Sequence, residues 1–329
     1  MEDYLGMELE LKPLTFIVDL GDKFVPEDKI KGFEICKILN DRVAVTFDTR
    51  SGYTGTGLTS LAIELVFDHK HFEICKWTKD EFTKFGKSLS ENILQLTECL
   101  IKKYKEGSLI DIDGNEYCIT KVTTPKVESA MIHITCGCNL AEIGLHNTKD
   151  HGFAMSYSDS LKPKANIRNF IYMLSTMCAN NTTGNLECSD PKQQMDVMNR
   201  TSFGYIFSQL HSTEQEEIIC FIQNFSGYPE KRITNYVGNI GDLERYFRLL
   251  KDNKINTDAD PTFLANKFEK LGISALGDTT AGLFKLPIFE FRGCGVINLD
   301  KLDKYFSRVF DALHHRSDLL NKFNVNSVK

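Results

Sequence analysis

Leu109-Ile110-Asp111-Ile112-Asp113-Gly114-Asn115-Glu116-Tyr117-Cys118-Ile119-Thr120 is two short apolar-rich runs broken by Asp-Gly. An Asp-Gly between alternating runs supplies the left-handed residues of a tight two-stranded turn, so the stretch predicts a β-hairpin. Working back, residues 78–105 place Phe82, Phe85, Leu89, Ile93, Leu96, Leu100 and Tyr104 at spacings of three and four. That is one face of a long amphipathic helix, with Asp80 near its start and Gly107 just past its end. Before it, Leu58–Phe67 reads LTSLAIELVF, an apolar strand, and Ser51–Gly57 is a glycine-rich turn or loop. Residues 29–47 predict a short helix over Lys29–Asn40 and then a strand over Arg42–Phe47. From Gly6 to Val18 the chain alternates, with Met7, Leu9 and Leu11 on one face and Glu8, Glu10 and Lys12 on the other, which is strand periodicity.

Past the hairpin, Met131–Cys138 predicts another strand. Helices are expected over Ala165–Met177, Ser202–Leu210, Glu244–Asp252 and Thr262–Leu271, a strand over Leu283–Phe291, and a closing helix over Leu299–Leu320. Its stripe is Leu302, Tyr305, Phe306, Val309, Phe310 and Leu313. Strands arrive in runs and hairpins rather than in strict alternation with helices. The expected class is therefore α+β with a mostly antiparallel sheet. No repeat or low-complexity linker divides the 329 residues. The expected organisation is one elaborated catalytic domain over 1–329, with a helical subdomain at about 160–280 as a further division.

Composition narrows the function. There are 39 Lys and Arg against 45 Asp and Glu, a net charge of −6, which disfavours a broad nucleic-acid surface. No apolar run reaches the roughly 20 residues of a membrane helix. The start, Met1–Pro13, is acidic and alternating, unlike a secretory leader. Ten cysteines are too few for a disulfide scaffold, and Cys36, Cys75, Cys99 and Cys220 sit in apolar settings. Reduced cysteines and a cytoplasmic location are expected; the sequons at Asn180, Asn181 and Asn199 then carry no information.

Four groups of residues bear chemistry. Glu8 and Glu10 project side by side from one strand face, either as a solvated edge or as a platform for a hard divalent ion such as Mg2+. Glu64 stands inside Ala62-Ile63-Glu64-Leu65-Val66, where a carboxylate needs a partner or a metal. His133 shares a strand face with Thr135 in Met131-Ile132-His133-Ile134-Thr135-Cys136-Gly137-Cys138-Asn139; the Cys136 and Cys138 spacing lacks the usual zinc pattern. In Phe289-Glu290-Phe291-Arg292-Gly293, Glu290 and Arg292 share a face. They form either an internal ion pair or, through the guanidinium fork, a phosphate contact. Arg200, at an expected helix start, is a second candidate for an anion. There is no P-loop, strand-linked GxGxxG, GxSxG or HExxH pattern.

In this order, G-x-E-x-E (Gly6 to Glu10), E-L-V (Glu64 to Val66), H-I-T-x-G-x-N (His133 to Asn139) and F-E-F-R (Phe289 to Arg292) resemble the carboxylate–amine ligase group. This is the glutamate–cysteine-ligase-like superfamily that includes the amidoligases. The resemblance spans roughly residues 4 to 293, and Met131 stands where that group's first strand histidine falls. It implies an antiparallel sheet curved around an active-site cleft and backed by helices. It implies ATP- and Mg2+-dependent joining of a carboxylate to an amine, on small-molecule or peptide substrates, through an acyl phosphate. Glu8, Glu10 and Glu64 would hold metal, with Glu290 a further candidate. Arg292 and Arg200 would face phosphate, His133 would meet metal or phosphate, and Asn139 would help bind the nucleotide. The glycine-rich loop 51–57 and the loop after Asn139 would close over substrate. Two other readings stand beside it. One is a cysteine-dependent hydrolase or deamidase; the other is a non-catalytic binding module on the same fold. ADP-ribosyl transfer is disfavoured because its Glu-x-Glu comes late, whereas Glu8 and Glu10 come first.

Overall fold

The computed structural model of the protein describes residues 4–50, 52–123, 127–143, 197–200, 203–217, 286–292, 294–316 and 319–325. The chain divides into two compact units. The first comprises Met1–Ile134, Cys294–His314 and Phe323–Lys329; the second comprises Thr135–Gly293 and His315–Lys322.

The first unit is α+β. Its strands are β1 (Leu5–Asp19), β2 (Glu34–Ile38), β3 (Val43–Thr49), β4 (Leu58–Phe67), β5 (Leu109–Ile112), β6 (Asn115–Thr123), β7 (Ser129–Gly137, through Ile134) and β10 (Val296–Asn298). They run in the order β2-β3-β4-β1-β7; β10 pairs with β7, β6 with β1, and β5 with β6. The pairs β1–β4, β1–β6, β2–β3, β3–β4, β5–β6 and β7–β10 are antiparallel. Helices α1 (Lys79–Lys103) and α3 (Leu302–His315) back the sheet.

Alternation explains β1, and so does its one interruption. Leu5, Met7, Leu9 and Leu11 are buried; after Pro13 the buried set moves to Leu14, Phe16 and Val18. The register against β4 shifts between Glu10 and Thr15. β1 advances five residues there while β4 advances two, and this odd difference restores the same core face beyond the irregularity. Proline lacks the N–H that a ladder needs, so this is the place a strand tolerates one.

The core lies between this face and the two helices. Phe16 and Phe47 meet Tyr104, the C-cap of α1, and Phe67 meets Phe85 of α1 and Phe306 of α3. Helix α1 begins at a capping box. Thr78 Oγ1 accepts the Glu81 N–H, and Glu81 returns its carboxylate to the Thr78 N–H at 2.9 Å. At Gly86 the helices touch backbone to side chain. A Cβ there would stand 2.9 Å from the Leu302 carbonyl oxygen and 2.9 Å from Phe306 Cγ.

The 109–120 hairpin forms as its sequence predicts, with Asp113 and Gly114 both at positive φ, 52° and 77°. The helix expected over Lys29–Asn40 does not form. A single 3-10 turn (Glu27–Lys29) is followed by β2, which turns into β3 through Leu39, Asn40 and Asp41, all at positive φ. The closing helix also departs from expectation. It opens as a 3-10 turn (Leu299–Lys301), runs as α3, and ends at His315 before Arg316 at φ 33°. A short helix α4 (Leu319–Phe323) follows.

In the second unit β8 (Val197–Asn199) pairs antiparallel with β9 (Ile288–Phe291), and α2 covers Phe203–Gln209. Arg316 donates to the Gly137 carbonyl at 2.5 Å and lies 3.7 Å from Glu142. The helices expected at 165–177, 244–252 and 262–271, and most of the region 160–280, lie outside the described residues, as does Cys220. Among the described residues no helix is long and apolar enough to cross a membrane. No disulfide joins the described cysteines. Cys136, Cys138 and Cys294 are buried, whereas Cys75 and Cys99 are exposed rather than packed in apolar surroundings.

Candidate functional site

The face of the first unit's sheet opposite the helices gathers acids. Glu10 on β1 lies directly across from Glu64 on β4, and Thr46 on β3 lies across from Glu64 on its other side. Asp48 is two residues along β3 from Thr46, so it shares that face and sits diagonal to Glu64. Glu10, Asp48 and Glu64 each present an oxygen within 4.8 Å of the others.

Glu64 lies on the strand between the other two. Burial raises its pKa from 4.5 to about 8, and the neighbouring charges of Glu8, Asp48 and Glu10 push the same way. Lys31 acts against them: its Nζ stands 3.2 Å from Asp48 Oδ1.

The second group adjoins the first through Glu10. His133 on β7 is buried. Its Nδ1 lies 3.6 Å from Glu8 Oε2 and its Nε2 lies 3.7 Å from Glu10 Oε1. Strand parity therefore brings together four of the residues singled out by sequence: Glu8, Glu10, Glu64 and His133. It adds Asp48 and Lys31, which the sequence reading omits. Alternation in Thr46-Phe47-Asp48 signals Asp48, but only once 34–49 is recognised as a hairpin.

These donors fit a divalent cation. Three carboxylate oxygens within 4.8 Å of one another are a charge excess that a hard, oxygen-seeking ion relieves.

The remaining candidates lie in the second unit. Glu290 on β9 is fully buried, and its two oxygens are met by two guanidinium groups. Arg292 Nε donates to Oε1 at 2.6 Å, and Arg200 lies against Oε2. Phe289 and Phe291 are buried beside it. The internal Glu–Arg pair admitted by the sequence is thus present. Arg292 is 39% exposed while paired. Asn139 precedes the 3-10 turn Leu140–Glu142. Its N–H donates to Glu142 at 2.8 Å and its amide reaches the same carboxylate at 3.4 Å.

No family model and no curated protein matches the chain. Among solved structures, it is similar to a point mutant of the ACD domain of a VgrG toxin from Vibrio cholerae, solved in complex with ADP and Mn2+. The identity is 13%, the match covers 92% of this chain and 96% of that one, and the TM-score is 0.44. A Vibrio cholerae toxin of the MARTX/VgrG family is similar at 13% identity, over 89% and 93% of the two chains, with a TM-score of 0.39.

The glycine-rich segment expected to close over substrate is tied down in the first unit. Val25 N–H donates to the Gly55 carbonyl at 2.7 Å, Leu20 N–H donates to the Gly57 carbonyl at 2.9 Å, and Gly57 N–H donates to the Gly21 carbonyl at 2.8 Å. Tyr53 Oη adds a bond to the Val25 carbonyl at 2.7 Å. Residues 20–25 and 53–57 therefore hold one another.

Thiol chemistry gains little from Cys138. Burial drives the Cys138 thiol well above its ordinary pKa, and the neighbouring Cys136 adds to the shift. A nucleophilic cysteine needs the opposite displacement.

Proposed function

We propose that the protein is an ATP- and divalent-metal-dependent carboxylate–amine ligase. The observation that carries the reading is the convergence of Glu10, Asp48 and Glu64 on one sheet face, beside His133 held between Glu8 and Glu10. Glu10, Glu64 and Asp48 would hold Mg2+, with Glu8 and His133 at its border. A bound divalent ion there neutralises phosphate charge and draws electrons from the phosphorus under attack.

In the proposed reaction a substrate carboxylate oxygen attacks the γ-phosphorus of ATP and ADP leaves. The amine nitrogen then attacks the acyl phosphate carbonyl, the C–O bond to phosphate breaks, and the nitrogen loses a proton. The chain's task is to position and to neutralise. Glu8, with Glu10, orients the His133 ring. Arg292 and Arg200 are proposed as phosphate-facing cations, with Glu290 fixing both guanidinium groups. Asn139 is proposed as a nucleotide contact. Substrates would be small-molecule or peptide carboxylates and amines, and a cytoplasmic setting would supply the nucleotide.

The test is ADP release by the full chain with ATP, Mg2+, a panel of amino acids and peptides, and hydroxylamine to trap an acyl phosphate as a hydroxamate. ADP and hydroxamate should appear together, and Glu10→Gln and Glu64→Gln should each reduce both by about 100-fold or more. ADP release unchanged in both variants, or no ADP with any carboxylate, would overturn the reading.

A further inference from the structure

Lys31 is outside every motif that points to the ligase reading, yet its ammonium lies on the acidic face. Its Nζ is 3.2 Å from Asp48 Oδ1, and Glu64 and Glu27 attract it in turn. Glu27 is held nearby, where its carboxylate accepts the Thr49 hydroxyl. Lys31, three residues before β2, thus places a positive charge beside the three carboxylates Glu10, Asp48 and Glu64. With those acids ionised the group carries −3, and Lys31 brings it to −2, the charge a divalent ion balances.

We propose that Lys31 is a specificity-determining residue of this cation site: it competes for Asp48 and sets the site's preference for a divalent over a trivalent ion. The inference rests on the reading of Glu10, Asp48 and Glu64 as cation ligands. A lysine next to a metal repels it in proportion to the metal's charge. Removing the lysine therefore tightens binding of any hard cation. The logarithmic gain for a trivalent ion is one and a half times that for a divalent one. Because Lys31 is more than half exposed, solvent screens the effect. A gain of about 3- to 10-fold for Mn2+ at low salt is expected, with a larger one for Tb3+, both shrinking as salt is added.

The experiment measures Mn2+ binding by paramagnetic resonance and Tb3+ binding by luminescence, on the full chain without nucleotide, at one fixed pH. It compares the unaltered protein with Lys31→Met, Lys31→Gln, Lys31→Arg and Glu64→Gln. Tighter Mn2+ binding in both neutral variants, with a larger gain for Tb3+ and near-unaltered binding in Lys31→Arg, supports the proposal. Equal or weaker binding in the neutral variants, while Glu64→Gln still loses Mn2+, overturns the role of Lys31 and leaves the cation site standing. Mn2+ binding that Glu64→Gln does not change overturns the cation site itself and this proposal with it.

Discussion

Glu64 concentrates the electrostatic tension of the sheet in one carboxyl group. Its pKa stands at about 8 in the folded protein against 4.5 as its ordinary value, because it is buried among Glu8, Asp48 and Glu10. A raised pKa means the folded chain holds a proton that the unfolded chain has lost. The stabilisation from that proton is complete below about pH 4.5 and disappears as pH rises through 8. Between those values this group alone lowers stability by up to ~1.4 kcal/mol per pH unit. Denaturant titrations of the cation-depleted protein at pH 6 and pH 8.5 should therefore show a fall that Glu64→Gln lacks. A fall of the same size in both proteins would assign it to other groups. Arg292 allows a second test at this scale. Arg292→Lys keeps the charge beside Glu290 but loses the fork. If the guanidinium faces phosphate, ATP-dependent turnover drops by about 100-fold with melting temperature within a few degrees. Near-full turnover in a well-folded lysine variant would leave Arg292 with the ion pair alone. Glu8, Glu10, Glu64 and His133 were legible as residues because a period of two fixes which side chains share a face. Asp48 and Lys31 were not, since their nearness to Glu64 depends on which strand lies beside β4.

Among the elements, those with a local physical signal formed where the sequence puts them. Asp113-Gly114 dictates its own turn, and the seven-residue apolar stripe of α1 together with the Thr78–Glu81 cap dictates a helix. The segment 29–40 carried no such signal. β2 alternates poorly, with no fully buried residue, and its reversal uses three successive left-handed residues of which only Asn40 and Asp41 are types that favour them. An edge strand gains its place from the strand it pairs with, which a periodicity argument does not see. Arg316 is similar: the helix is expected to run on to Leu320, but the backbone turns out of it after His315. The contact between α1 and α3 gives a prediction at this scale. Gly86→Ala puts a methyl group 2.9 Å from both the Leu302 carbonyl oxygen and Phe306 Cγ. Alanine is otherwise the better helix former by ~1 kcal/mol, so on an exposed helix the change stabilises. Here overpacking against backbone should win, with a net loss of about 1–3 kcal/mol in a denaturant titration. Unchanged or raised stability would show that α3 shifts away at no cost.

For the molecule as a whole, the class of function turns on whether nucleotide and metal are ligands of the native state. A ligase binds them in the folded form, so folding stability must rise with their concentration; at 100 times Kd the gain is ~2.7 kcal/mol. An inert module on the same fold has no such linkage, and a thiol hydrolase has it for neither ATP nor Mg2+. The carboxylates of the first unit make a sharper statement possible. Metal alone should raise the melting temperature, because it offsets the burial and repulsion that hold Glu64 protonated, and the rise should be larger at pH 8.5 than at pH 6, where a proton must first be displaced. ATP with Mg2+ should raise it further than either alone. Alkylation of the exposed Cys75, Cys99 and Cys118 should leave these shifts intact, since none of the three lies among the acids. The measurement is thermal denaturation of the full chain at both pH values, with Mg2+, with ATP, and with both, before and after iodoacetamide treatment. A metal shift that is absent, or that is equal at the two pH values, would remove the acidic face from the mechanism. Shifts lost on alkylation would place a cysteine at the site that binds nucleotide or metal.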